Sequence, residues 1–219
     1  KKSRPYIILK SAQSLDGKIA LKNGESNWIS NPESRKNSHH IRSVVKGILV
    51  GKNTAEQDNP SLTVRLTKND LGLKKSEIIE QPVKIILGNL KKSQKVSRIF
   101  TGNSKIIIGS RQPAKKSKNI EYLKYEKKNF LEEFLKDLLD RNISSILVEG
   151  GQKTLNAFIV NNLFDELELY TAPMFLGKES KDAVSINAPD SIKTSMKLKM
   201  VSQERFKDDI KITYYNINI

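Results

Sequence analysis

Four short stretches of this 219-residue chain hold the residue types that do chemistry. Ser14-Leu15-Asp16-Gly17 sets a hydroxyl and a carboxylate at a turn directly after an apolar run. Asp-Gly is a turn signal, and polar groups at strand ends are where α/β folds place ligands. An ordinary strand-ending turn has the same sequence. Gly24-Glu25-Ser26-Asn27-Trp28-Ile29-Ser30 carries the single tryptophan, in a polar loop. An indole there either covers a flat ring or a ribose, with the Ser26 hydroxyl beside it, or staples the start of the next helix. Gly51-Lys52-Asn53-Thr54, then 58–65 (DNPSLTVR), follows a second apolar run. Its amides and hydroxyls suit a dinucleotide, and Arg65 with Arg42 suits a bidentate phosphate clamp; a capped turn with an arginine ion pair is the structural alternative. The last stretch, 146–154 (ILVEGGQKT), is the most informative. A buried strand runs into paired glycines, which permit close backbone approach to a ligand. The helix that follows offers free amides and a positive dipole end to a pyrophosphate. It is neither a Walker loop nor a GxGxxG fingerprint. Glu149 closes the strand where a substrate hydroxyl could meet it.

Other chemistries find no support. His39 and His40 are adjacent, so they face different ways on a helix and make no metal pair; packing or surface roles suit them better. There is no Ser-His-Asp order and no metal-ligand cluster, so no metal is expected. Cysteine is absent, which excludes disulfides and thiolate metal sites and fits a reducing cytoplasm.

These stretches need elements to position them. Apolar, β-branched runs at 6–9, 47–50, 83–87, 105–108, 145–148 and 167–170 predict buried strands. Alternating residues at 198–203 and 210–215, around Lys207-Asp208-Asp209, predict a C-terminal antiparallel hairpin. Ser30-Asn31-Pro32-Glu33 reads as a capping box opening a helix to about Val45, with Ser30 as N-cap. The stripe Leu131, Phe134, Leu135, Leu138 predicts a helix over 130–141, and a third helix spans 154–163. Strands alternating with helices indicate a mainly parallel central sheet flanked by helices, an α/β fold of one domain over 1–219. The polar segment 67–81 is expected to be a surface excursion.

Composition narrows the partners. Hydrophobic residues make 37% of the chain, and mean hydropathy is −0.50. No run of about 18 apolar residues occurs, so no membrane span is expected. Charged residues 1–5 are followed by no apolar signal region. The net charge of +15 suits anionic ligands, yet pairs such as Lys74-Lys75 are scattered and read as solvated faces. Aromatic residues are 6% and do not interleave with them, so no specific nucleic-acid binding is expected.

Taken in order, "RPYIILKSAQSLDGKIA", "GESNWIS", "IRSVVKGILVGKNTAEQDNPSLTVRL", "ILVEGGQKTLNAFI" and "FDELELYTAPMFLG" resemble the C-terminal reductase domain of the bifunctional riboflavin-biosynthesis deaminase/reductase. The matching pieces lie between residues 4 and 177. The resemblance implies a dihydrofolate-reductase-like fold, a homodimer, and reduction of 5-amino-6-(5-phosphoribosylamino)uracil to the ribitylamino product, with hydride passing from NADPH to ribose C1′. It implies that Ala12, Trp28, Thr54 and Asp58 contact the cofactor. The helix start from Gly151 through Gln152, Lys153, Thr154 and Leu155 to Ala157 would hold its phosphates. Ser26, Arg42, Leu62, Arg65 and Glu149 would contact substrate, and Lys10 would sit near the ribose. Lys10, Asp16 and Glu149 are the candidates for proton handling.

Two departures stand out. The family's usual Asp-Ser pair after the strand at 83–87 is here Gly88-Asn89. Asn89 can still bond the adenosine ribose or its phosphate, with Lys91, Lys92 and Arg111 as compensating cations. The deaminase half, with its His/Cys zinc motif, is absent, and 1–5 reads as the joint where it would attach. The alternatives are the related archaeal- and fungal-type diaminopyrimidinone phosphate reductase, and a relative that binds NADPH without turnover.

Overall fold

The computed structural model describes residues 2–90, 98–111, 116–126 and 130–218. Its strands are β1 (Tyr6–Ser14), β2 (Lys18–Ala20), β3 (Gly47–Gly51), β4 (Val83–Leu87), β5 (Ile106–Ser110), β6 (Lys116–Ser117), β7 (Ile120–Lys124), β8 (Ser145–Val148), β9 (Glu166–Ala172), β10 (Lys181–Asp182), β11 (Leu198–Phe206) and β12 (Asp209–Asn216). Its helices are α1 (Pro32–Val44), α2 (Lys52–Gln57), α3 (Leu131–Asp140) and α4 (Gln152–Val160). The chain forms two compact units, one from Lys1–Tyr6 and Lys36–Leu147, the other from Ile7–Arg35 and Val148–Ile219.

The first unit is built on strands in the order β8, β3, β4, β5, β7, with β3, β4, β5 and β7 parallel and β6 antiparallel to β7. The runs GILVG and IIIGS are buried at every residue. Continuous apolar runs are what a parallel sheet covered on both faces requires. α3 buries Phe134, Leu135 and Leu138 of the predicted stripe, while Leu131 is half-buried. Lys84 is a charged residue among these apolar ones. It sits in β4 and is 1% exposed.

In the second unit β1 runs parallel to β9, from Ile8 opposite Glu166 to Ser14 opposite Ala172. β12 pairs antiparallel with β9, and β11 antiparallel with β12. The predicted hairpin is therefore present, its turn narrowed to Lys207 and Asp208 between paired Phe206 and Asp209. The short ladder of β2 with β10 has no sequence signature, because two or three residues carry no periodicity. The same holds for β6.

Two element starts differ from expectation. Asn31, not Ser30, caps α1: its Oδ1 accepts the Ser34 N–H at 3.0 Å. Glu33 turns away to Lys207 at 2.6 Å, and the Ser30 carbonyl accepts from Arg35 instead. Asn31 wins because its amide also donates to the Phe206 carbonyl at 2.6 Å. α4 begins at Gln152, two residues earlier than the side-chain pattern indicated. Segment 67–81 contains no helix or strand and is braced by Asp70, which accepts from Thr67 and pairs with Lys36 at 2.6 Å. Among the described residues, no helix is long and apolar enough to cross a membrane.

Candidate active site

In the first unit, β3 delivers the chain into α2 and the loop that follows. Thr54 lies in α2, and its carbonyl accepts the Asp58 N–H at 3.0 Å, ending the helix. Asn59 (φ 44°) and Leu62 (φ 48°) then adopt left-handed backbone. Leu62 is 1% exposed, so only its backbone is placed to meet a ligand. Arg42 Nη1 donates to the Thr63 carbonyl at 3.0 Å. Arg65 faces His39, which is 8% exposed. His39 Nδ1 lies 3.1 Å from the Arg65 amide nitrogen, and its Nε2 lies 3.2 Å from Arg65 Nε. A neutral ring accepts at one nitrogen only, so Arg65 makes one full hydrogen bond and one close contact there. The structure thus ties both predicted arginines to the 61–65 loop. It also shows that His39, for which sequence suggested a packing or surface role, is buried against Arg65 and orients it.

The carboxyl ends of β3, β4 and β5 lie side by side, Gly51 opposite Leu87 and Leu87 opposite Gly109. Gly88 has φ +117°, and a Cβ there would lie 3.2 Å from Lys52 Cβ, so the lysine stem covers this glycine. Asn89 Oδ1 accepts the Arg111 N–H at 3.0 Å. Lys52, Asn89 and Arg111 therefore stand on adjoining strand ends. Lys91 and Lys92 lie outside the described residues.

The second unit carries the candidates for proton handling. Lys10 lies in β1 opposite Glu168, with Nζ 5.3 Å from the centroid of the buried Tyr170 ring. Ala12 lies opposite Tyr170. Glu168 is 4% exposed, with Lys211 Nζ at 3.0 Å and Thr213 Oγ1 at 3.1 Å. Lys211 also meets Glu204 at 2.9 Å. Burial alone would lower the Lys211 pKa, but its bonds to Glu204 and Glu168 outweigh that and raise it. The signal for this buried pair was a glutamate at an inward position of an alternating strand. Glu149 follows β8 and is half-buried.

Asp16 is already committed. Ser14 Oγ donates to Oδ1 at 2.5 Å, Leu176 N–H to Oδ1 at 3.1 Å, and Gly177 N–H to Oδ2 at 2.8 Å. The Ser14 hydroxyl first, then the backbone amides, hold its pKa down to about 2. Asp16 thereby braces the 176–177 turn and stays ionised, which suits no proton donor at neutral pH. Trp28 is 67% exposed and lies under the Arg35 guanidinium, 4.2 Å from the ring centroid. It staples no helix into the core. Ser26 is half-buried in the same loop.

α4 starts at Gly151, an extended N-cap with no side-chain cap and no acidic residue in the first turn. Thr154 and Leu155 N–H groups return to the Gly151 carbonyl, which leaves Gln152 and Lys153 amides at the helix mouth. A helix start of this kind favours an anion. The expected close approach at the paired glycines has an internal cause: a Cβ on Gly150 would lie 2.4 Å from Thr154 Cβ. Among the described residues, no group of three His, Cys, Asp or Glu side chains could hold a metal.

Residues 5–212 match the family model of the RibD C-terminal domain. The riboflavin biosynthesis protein RibD of Haemophilus influenzae is 31% identical over 216 residues, covering 96% of this chain and 58% of that protein. The chain thus spans little more than half the length of such relatives. The 2,5-diamino-6-ribosylamino-4(3H)-pyrimidinone 5′-phosphate reductase of Methanothermobacter thermautotrophicus is 26% identical, covering 96% of this chain and 98% of that protein. The Thermotoga maritima deaminase/reductase structure superposes with a TM-score of 0.81 at 30% identity, covering 97% of this chain and 57% of that one. Enterococcus faecalis dihydrofolate reductase, at 14% identity and a TM-score of 0.52 over 97% of each chain, shares the fold alone.

Proposed function

Because the chain belongs to the RibD C-terminal domain family, we propose that it reduces 5-amino-6-(5-phosphoribosylamino)uracil to 5-amino-6-(5-phosphoribitylamino)uracil with NADPH. The observation that carries this reading is the uncapped start of α4 after the Gly150-Gly151 turn, a ready anion site on a fold that relatives use for pyrimidine reduction. NADPH, when bound, supplies the hydride that opens the ribose at C1′. Its fit is supported by the donors at three strand ends. Lys52, Asn89 and Arg111 offer cationic or amide groups there. NAD-selective sites present a carboxylate to the ribose hydroxyls, whereas a 2′-phosphate calls for cations. The Gln152 and Lys153 amides would hold the pyrophosphate, those of Thr154 and Leu155 being taken by the Gly151 carbonyl, and Ala12, Trp28, Thr54 and Asp58 would hold the rest of the cofactor.

Arg42 and Arg65 bind the substrate 5′-phosphate, with Ser26 and the Leu62 backbone as further contacts. Lys10 and Glu149 handle the ribose, one of them giving the proton that the opening ring oxygen requires. The whole 219-residue domain acts as a cytoplasmic homodimer in this reading.

The test is spectrophotometric. Protein, NADPH and the phosphoribosylaminouracil are mixed, and loss of nicotinamide absorbance is followed. Oxidation dependent on that substrate is expected, faster than with the diaminopyrimidinone phosphate. No oxidation by folded protein overturns the reading; a preference for the diaminopyrimidinone moves the enzyme to the other substrate order.

A further inference from the structure

Lys84 has no place in the chemistry above, yet it is a fully buried cation at the second position of β4. Desolvation lowers its pKa. An apolar side chain of similar length would fill the same space without that penalty. What the lysine does is specific: its Nζ donates to the Ile99 carbonyl at 2.8 Å and to the Thr101 carbonyl at 2.9 Å. These two acceptors lie in the middle of a single 3-10 turn, Arg98–Phe100, and directly after it. The buried Ile99 side chain plugs the turn into the core.

The outer side of that turn reaches another loop. Arg98 N–H donates to Asn59 Oδ1 at 2.7 Å, and Arg98 Nε donates to the Asn59 carbonyl at 2.9 Å. Asn59 holds φ 44°, and Leu62 holds φ 48° three residues on. Asparagine tolerates the left-handed region, but leucine does not, so the second conformation persists only where its surroundings impose it. The loop so fixed contains Asp58, Leu62 and Arg65.

We propose that Lys84, Arg98 and Asn59 form a positioning clamp that sets loop 58–65 in its ligand-binding shape, Lys84 acting through the 98–101 turn without touching either ligand. The inference rests on the functional reading above for the ligands of that loop.

The clamp is tested with Lys84→Met, Arg98→Ala and Asn59→Gly, the last keeping the positive φ but removing the acceptor. NADP+ affinity is measured by calorimetry, NADPH and substrate KM by steady-state kinetics, and amide hydrogen exchange over 58–65 by mass spectrometry. Each variant is expected to exchange faster in this segment, to bind NADP+ at least about fivefold more weakly, and to raise KM while kcat stays within about twofold. Arg98→Lys, which keeps a cationic donor for the Asn59 carbonyl, is expected to recover part of the affinity. A merely structural role would lower melting temperature and leave the KM of folded molecules unchanged. If Lys84→Met fails to fold, the two surface variants decide. Unchanged exchange and unchanged NADP+ affinity in folded Arg98→Ala and Asn59→Gly overturn the clamp, while wild-type turnover in the same assays keeps the functional reading intact. Wild type that neither binds NADP+ nor oxidises NADPH overturns that reading and the clamp with it.

Discussion

At the residue scale, Arg65 and Asp16 show how partners decide a role. Arg65 is held by His39, so its cost of ordering is met before a phosphate arrives. Arg65→Ala is expected to raise KM for the phosphorylated substrate about 100-fold, and His39→Ala about tenfold, since a charged hydrogen-bond pair is worth roughly 2–3 kcal/mol and an orienting contact about half that. Steady-state kinetics against the phosphorylated and dephosphorylated substrates checks this, because the dephosphorylated one should show little change. Asp16 has its folded pKa lowered from 3.8 to about 2, chiefly by the Ser14 hydroxyl. A depressed carboxylate adds stability above its unfolded pKa and loses it as pH falls through the folded one. Urea titrations from pH 5 to pH 2 should therefore show a steeper loss for wild type than for Asp16→Asn. Between pH 5 and 8, Asp16→Asn should leave the pH profile of kcat/KM in place, whereas a lost limb would return Asp16 to the proton-handling set.

At the element scale, two junctions fix where the site parts lie. The β8-to-α4 turn needs glycine at 150 because Thr154 occupies the space of its Cβ. Gly150→Ala should cost about 1–3 kcal/mol by overpacking, read as a lower melting temperature, with partial recovery in the Gly150→Ala/Thr154→Gly double variant. The start of α1 depends on Asp209, a buried carboxylate of β12 that accepts from Ser34 Oγ at 2.7 Å and Asn31 N–H at 2.8 Å. Losing the cap in Asn31→Ala should cost about 1 kcal/mol. Asp209→Ala leaves two donors unmet and should cost about 2–3 kcal/mol. Chemical denaturation that ranks the two the other way would show that the cap, not the cross-element tie, holds α1.

At the scale of the whole molecule, the hairpin remains. β11 is the end strand of the second unit's sheet and is exposed along most of its length, including Met200 and Val201. Ile210 and Tyr215 add apolar surface on β12. An edge strand with free backbone groups and apolar side chains invites a second copy. Light scattering should give about twice the 24.8 kDa chain mass, and Val201→Glu should halve it. Wild type at the monomer mass would refute the homodimer.

The sequence by itself determined where the long apolar strands and the C-terminal hairpin run, though not β2, β6, β7 or β10. Continuous β-branched runs such as those of β3 and β5 can satisfy their apolar surface only inside a covered parallel sheet. It also marked the 146–154 turn and the arginine pair, because glycine, helix starts and guanidinium groups carry their chemistry in their type. The tertiary structure alone decided partners. Nothing near Asp16 in sequence announces the Leu176 and Gly177 amides, nothing near Arg65 announces His39, and nothing near Lys84 announces the 98–101 carbonyls. Each of these contacts joins residues 15 to 161 positions apart. Burial and hydrogen bonding act through space, so a polar residue's role is set by what folding brings beside it, which local pattern does not encode.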